Sequence, residues 1–170
     1  MTQAETKATP IRRIVTGHDD SGKTLVWMDG AVNNQKVPGP GMTASTLIWV
    51  TDETPADFTV DVDAGARVVG TAPPAGGTRF CIIDFQPGNE AHLHRTDTID
   101  YVICILGEID MDMDDSTVHM KAGDIMVQRG TNHGWANRGT ELARLAFVLV
   151  DGKPKRAGSV SGENKASSKK

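Results

Sequence analysis

The chain has 170 residues, of which 38% are hydrophobic and 24% charged, and its formal net charge is −4 at pH 7. That length suits one domain with a single core, and the acidic balance argues against nucleic acid as a general partner. No apolar run approaches the ~20 residues of a membrane span and the N-terminus carries no apolar signal core, so a cytoplasmic protein without membrane contact is expected.

Residues 1–10 are polar and are expected to be disordered. Ile11–Val15 and Thr24–Met28 read as two strands around the turn cluster Asp19-Asp-Ser-Gly22-Lys, with His18 beside the turn in solvent. Val37-Pro-Gly-Pro-Gly41 separates this N-terminal hairpin arm from the rest of the chain. Thr46–Thr51 is a strand, residues 55–66 fit no pattern well, and the loop 72–77 precedes a further strand, Thr78–Phe85. Cys81 and Cys104, the two cysteines, lie inside apolar runs and are expected to be buried, reduced thiols.

In Glu108-Ile-Asp-Met-Asp-Met-Asp114, Ile109, Met111 and Met113 fall on one face and four acids on the other. This is strand alternation, with the acids on the wet side. Thr117–Met120 comes after a turn, and His119 should point outward. Glu141–Val150 is nearly continuous in apolar character, as in a strand buried on both sides, interrupted by Arg144. No stretch shows a sustained 3.6-residue apolar period. Many short strands between Gly/Pro turns predict an all-β barrel or sandwich over residues 11–151, with a disordered tail at 152–170.

Two clusters carry the chemistry. The first, over 88–107, contains His92-Leu-His94 and Asp100; the second, over 123–137, contains Arg129, Gly130, His133 and Asn137. Histidines one residue apart on a strand share a face, with Cα atoms roughly 6–7 Å apart, close enough to reach one ion. A third histidine can return to the same place after a strand and a hairpin. Imidazole donors suit one divalent transition metal, with Fe(II) favoured and Zn, Mn, Ni or Cu also open.

The spacing resembles the two cupin motifs. The first reads His92-x-His94, five residues, Asp100, six residues, Gly107; the second reads Gly123, five residues, Arg129, with Gly130, His133 and Asn137 in register. Three departures stand: Asp100 for the family's glutamate, a loop one residue longer before it, and Gln128 where the proline belongs. The resemblance implies a double-stranded β-helix (jelly-roll barrel) and a homodimer in which the N-terminal hairpin packs on a second subunit. It also implies metal ligands at His92, His94, Asp100 and His133. Asp100 either ligates directly or holds a metal-bound water.

Asp100 and Arg129 are the candidate catalytic groups. Val102, Leu106, Ile125 and Val127 are expected to face inward, and Trp135 and Asn137 to flank the His133 loop. Together they would line an apolar pocket for a small-molecule substrate. The leading expectation is a metal-dependent dioxygenase that cleaves a carbon–carbon bond in a small oxygenated or aromatic compound. A metal-dependent lyase, dehydratase, isomerase or polyketide cyclase, and a non-catalytic ligand binder, are the alternatives.

Overall fold

The computed structural model describes residues 10–36 and 43–154. The expectations for residues 1–9, for the 37–41 separator and for 155–170 fall outside that range. Turn chemistry and alternation produce the first hairpin, β1 (Arg12–His18) and β2 (Thr24–Ala31). The Asp19 carboxylate closes its turn by accepting from the Ser21 and Lys23 backbone N–H groups at 2.8 and 3.0 Å. Arg13 reaches back from this hairpin to Asp63 at 2.7 Å, and its guanidinium lies 6.0 Å from the Trp49 ring.

The remaining strands are β3 (Gln35–Lys36), β4 (Ala44–Thr51), β5 (Thr78–Phe85), β6 (Thr98–Leu106), β7 (Glu108–Asp112), β8 (Thr117–Lys121), β9 (Ile125–Arg129), β10 (Gly134–Ala136) and β11 (Ala143–Asp151). The unpatterned stretch 55–66 stays irregular apart from one 3-10 turn at Ala64–Ala66. Six strands form one antiparallel sheet in the order β3-β4-β5-β11-β6-β9, and three form a second in the order β10-β7-β8. The core joins the two sheets: Cys81, Val102, Cys104, Leu145 and Phe147 from the six-stranded sheet pack with Ile109, Met111, Met120 and Trp135 from the three-stranded one. Both cysteines are free and buried, and burial pushes the Cys81 thiol up to about 11.

The alternation in β7 holds. Ile109 and Met111 are buried, while Asp110 and Asp112 take the Arg138 guanidinium at 2.6–3.0 Å and Asp110 takes His119 Nδ1 at 2.8 Å. On so exposed a face these pairs add little stability.

The inner face of the large sheet departs from the sequence expectation at its β9 edge. Asp100 pairs with Gln128 and Val102 with Met126, so the even positions of β9 face in. Ile125 and Val127 therefore face out, 74% and 56% exposed, and Arg129 shares their side. Leu106 is also exposed, at the end of β6 where the pairing with β11 shifts register. Apolar character predicts burial only when one face is wet, and here the outer face is apolar too. Ile99, Tyr101, Ile103 and Ile105 continue it along β6.

Between β6 and β7 the chain crosses from one sheet to the other at Gly107. Its φ is +71°, and an added Cβ would lie 2.3 Å from the Leu142 carbonyl oxygen. Gly107→Ala is expected to destabilise by about 2 kcal/mol or more, from left-handed strain plus backbone overlap. Gly123→Ala, at φ +97° in open space, should lose only about 1 kcal/mol from the strain alone. Urea unfolding of the two variants measures the difference.

Candidate metal centre

The two motifs meet through their backbones. His94 N donates to the His133 carbonyl at 2.8 Å and His133 N donates to the His94 carbonyl at 2.9 Å, an isolated antiparallel bridge. The imidazole centroids lie 4.5 Å apart. Each ring is held in the same way. His94 Nδ1 is 2.9 Å from the His92 carbonyl, and His133 Nδ1 is 2.9 Å from that of Thr131. A carbonyl oxygen only accepts, so both Nδ1 atoms carry hydrogen and both Nε2 atoms present a lone pair. Burial lowers the pKa of His133, as does the neighbouring His94, which keeps the ring neutral near pH 7; the bond to Thr131 opposes both.

Asp100 sits in the inner row of β6, 3% exposed. Its Oδ2 accepts from Gln128 Nε2 at 2.7 Å, whereas Oδ1 has no protein partner. Burial raises its pKa, against the Thr98 hydroxyl and the His94 imidazole, which lower it. The Gln128 carbonyl oxygen is likewise buried and unpartnered. Two of the three departures from the family pattern are thus in contact. The residue in the proline position donates to the residue in the glutamate position, which a proline could not do. In the sequence Gln128 is an irregularity of the motif and nothing more; pairing it with Asp100 across the β6–β9 register needs the fold.

Other candidates fall elsewhere. His92 is exposed on a segment without strand pairing, so the one-face argument for His92 and His94 does not operate. Among the described residues no three His, Cys, Asp or Glu side chains form a ready-made metal cage. Arg129 lies on the outer face of β9, away from Asp100. Asn137 is fully buried and structural: its Nδ2 donates to the carbonyls of Phe85 and Glu141, and its Oδ1 accepts from Gly139 N. Val102 belongs to the core, and Trp135 packs edge-on between His133 and Phe147 at 6.3 and 5.5 Å. Arg144 is outside, paired with Asp84 at 2.6 Å. What remains is two adjacent imidazole lone pairs and, on the inner row of β6, one free carboxylate oxygen. That donor set fits a divalent transition metal.

The Asp100–Gln128 contact leaves two buried oxygens without donors. In metal-free protein Asp100→Asn supplies a donor to Gln128 and removes a buried charge, so a gain of about 1 kcal/mol is expected at pH 7. Because the folded-state pKa of Asp100 is raised, the wild-type carboxylate costs stability as pH rises through that pKa. The advantage of the variant should therefore vanish below about pH 4, where the carboxyl is protonated in both states. Thermal melts of chelator-treated protein at the two pH values test it.

Residues 81–150 match the Cupin domain family model. A phomopsin biosynthesis cluster protein C' from Diaporthe leptostromiformis is 35% identical, over 88% of this chain and 86% of its own length. The cupin-domain-containing oxidoreductase fogC of Aspergillus ruber is 32% identical, over 82% of this chain and 71% of its own. Among solved structures, a Klebsiella pneumoniae protein with a double-stranded β-helix domain superposes with a TM-score of 0.51 at 21% identity, covering 72% of this chain and 89% of that one. Motifs, sheet topology and relatives agree, and the chain belongs to the cupin family.

Proposed function

We propose that this chain is a metal-dependent cupin enzyme that oxidises a small molecule, with His94, His133 and Asp100 as ligands and His92 completing the set. One observation carries the reading. Two imidazoles lie side by side with Nε2 free and Nδ1 tied to the backbone, and Asp100, whose carboxylate feels the His94 imidazole, has a buried oxygen that no protein group satisfies. Its relatives point the same way: several are named cupin-domain-containing oxidoreductases, and others are products of biosynthesis clusters.

A redox-capable ion such as Fe(II), when bound, supplies open coordination positions and electrons for dioxygen, which zinc cannot. Within this class we favour a dioxygenase that cleaves a carbon–carbon bond. The protein groups do the rest. Gln128 holds Asp100 Oδ2 and so orients the free Oδ1. Trp135, Phe85 and Phe147 pack behind His133 and exclude water from that side.

His94→Ala and His133→Ala are each expected to reduce metal content at least about tenfold by elemental analysis. Protein reconstituted without oxygen with Fe(II) or with Zn should then be screened against small diketones, hydroxyketones and phenols. Oxygen uptake that requires iron, with O₂ label in the product, is the expected result. Equal turnover with zinc and no oxygen would replace the oxygenase by a Lewis-acid lyase or isomerase.

We also propose a homodimer, on the outer face of β6 and β9. Ile99, Tyr101, Ile103, Ile105, Ile125 and Val127 are 39–74% exposed. Six exposed large apolar side chains on two neighbouring strands form the kind of patch that marks a protein–protein interface. None of the six is charged, although Arg129 stands beside Ile99 on the same face; the six apolar side chains can meet their own copies across a two-fold axis. Ile125→Ser combined with Val127→Ser should give monomers in sedimentation while leaving the fold intact; an unchanged dimer would remove this face as the interface.

A further inference from the structure

Arg79 enters the protein interior without a counter-ion. It lies on the inner face of β5 with Cys81 and Phe85 and is 7% exposed. Its guanidinium donates to the Thr71 carbonyl at 3.2 Å and to Ser45 Oγ at 3.1 Å. Arginine has five N–H donors, and Nε is buried with no partner at all. Among the described residues no carboxylate pairs with it; the nearby Asp52 is taken by Arg67, with bonds of 2.8 and 3.0 Å.

Around Arg79 lies a recess with ≈ 20 Å³ of free space, lined by Asn34, Lys36, Ser45, Leu47, Arg67 and Val69. Among the described residues, Lys36 Nζ donates to the Val69 carbonyl alone, at 2.9 Å. The Asn34 side-chain oxygen is buried and unpartnered. Two cations without carboxylate partners, a hydroxyl and two orphaned polar atoms therefore converge on one small space. A buried charge normally comes with a partner, because removing it from water is costly. Here no described residue supplies the partner.

Arg79 and Asp100 share the inner face of one sheet. Arg79 is paired with Leu149, and Leu149 with Asp100, so all three stand in one row on the inner face. Two strand spacings put the Arg79 and Asp100 Cα atoms about 10 Å apart. We propose that Arg79, with Lys36 and Ser45, binds the carboxylate of the substrate and directs its other end toward His94, His133 and Asp100. The substrate class is a small carboxylic acid. A planar two-oxygen group matches the guanidinium fork better than a tetrahedral phosphate does. This inference rests on the reading of the His94–His133 end as the reacting end, but the anion subsite is testable without it.

Chelator-treated full-length protein is titrated calorimetrically with acetate, propionate and benzoate, and in parallel with acetamide, propionamide and benzamide. Each acid is expected to bind at least about tenfold more tightly than its amide. Arg79→Met should abolish the preference with circular dichroism unchanged, and Arg79→Lys should keep part of it. His133→Ala should keep the preference in full although it loses metal, which separates this subsite from the metal centre. Lys36→Met, at an exposed position, should weaken acid binding several-fold and leave the amides unaffected. It decides the matter if Arg79→Met does not fold. The proposal is overturned if wild-type protein does not distinguish acid from amide. It is equally overturned if the preference survives in Arg79→Met, if it disappears in His133→Ala, or if Lys36→Met leaves acid binding unchanged where Arg79→Met cannot be read.

Discussion

The centre depends on two reciprocal backbone hydrogen bonds between His94 and His133. Neither residue lies within one of the eleven strands, and the bridge between them joins the two motifs directly. Because the contact is made by main-chain atoms, it fixes both Cα positions and leaves both rings free to face the same side. The Nδ1 bonds to carbonyls two residues earlier then set tautomer and tilt in both rings alike. Core packing supports the arrangement from behind, through Trp135 against His133, Phe85 and Phe147.

Around this clamp the inner face of the large sheet carries a row of residues that would be poor choices for stability alone. Arg79, Leu149, Asp100 and Gln128 are neighbours across four strands, and three of the four are polar and buried. Three of their atoms lack any hydrogen-bond partner: Arg79 Nε, Asp100 Oδ1 and Gln128 Oε1. Each such atom costs free energy that a well-packed apolar side chain would not. A row of this kind persists where a ligand satisfies it, and its two ends offer opposite chemistry: a cation toward the recess, a carboxylate toward the imidazoles. The outer face of the same sheet is largely apolar over β6 and β9, where Ile99, Tyr101, Ile103, Ile105, Ile125 and Val127 are exposed.

Much of this was legible in the sequence. The strands at 46–51, 78–85, 108–113 and 141–150 are dictated by alternation and apolar runs, because neighbouring side chains on a strand must point to opposite sides. The hairpin turn at Asp19–Lys23 comes from local side-chain chemistry. The pairing of His94 with His133 was legible through motif spacing, and the placement of His119 and the acid ladder on a wet face through charge alternation.

Only the tertiary structure decided which face of a strand is the inner one. Alternation divides β9 into Ile125/Val127/Arg129 and Met126/Gln128 but does not say which set meets the core; the Asp100↔Gln128 register does. The same register paired the two motif departures, which lie 28 residues apart. Arg79 reads as an ordinary strand charge until β4, β5 and β11 bury it and no carboxylate arrives. His92 keeps its motif position yet leaves the strand, because the loop around it takes its shape from tertiary contacts. Local sequence sets period, turns and ligand types, whereas burial and pairing depend on residues distant in the chain, and those exist as neighbours only once the sheets have formed.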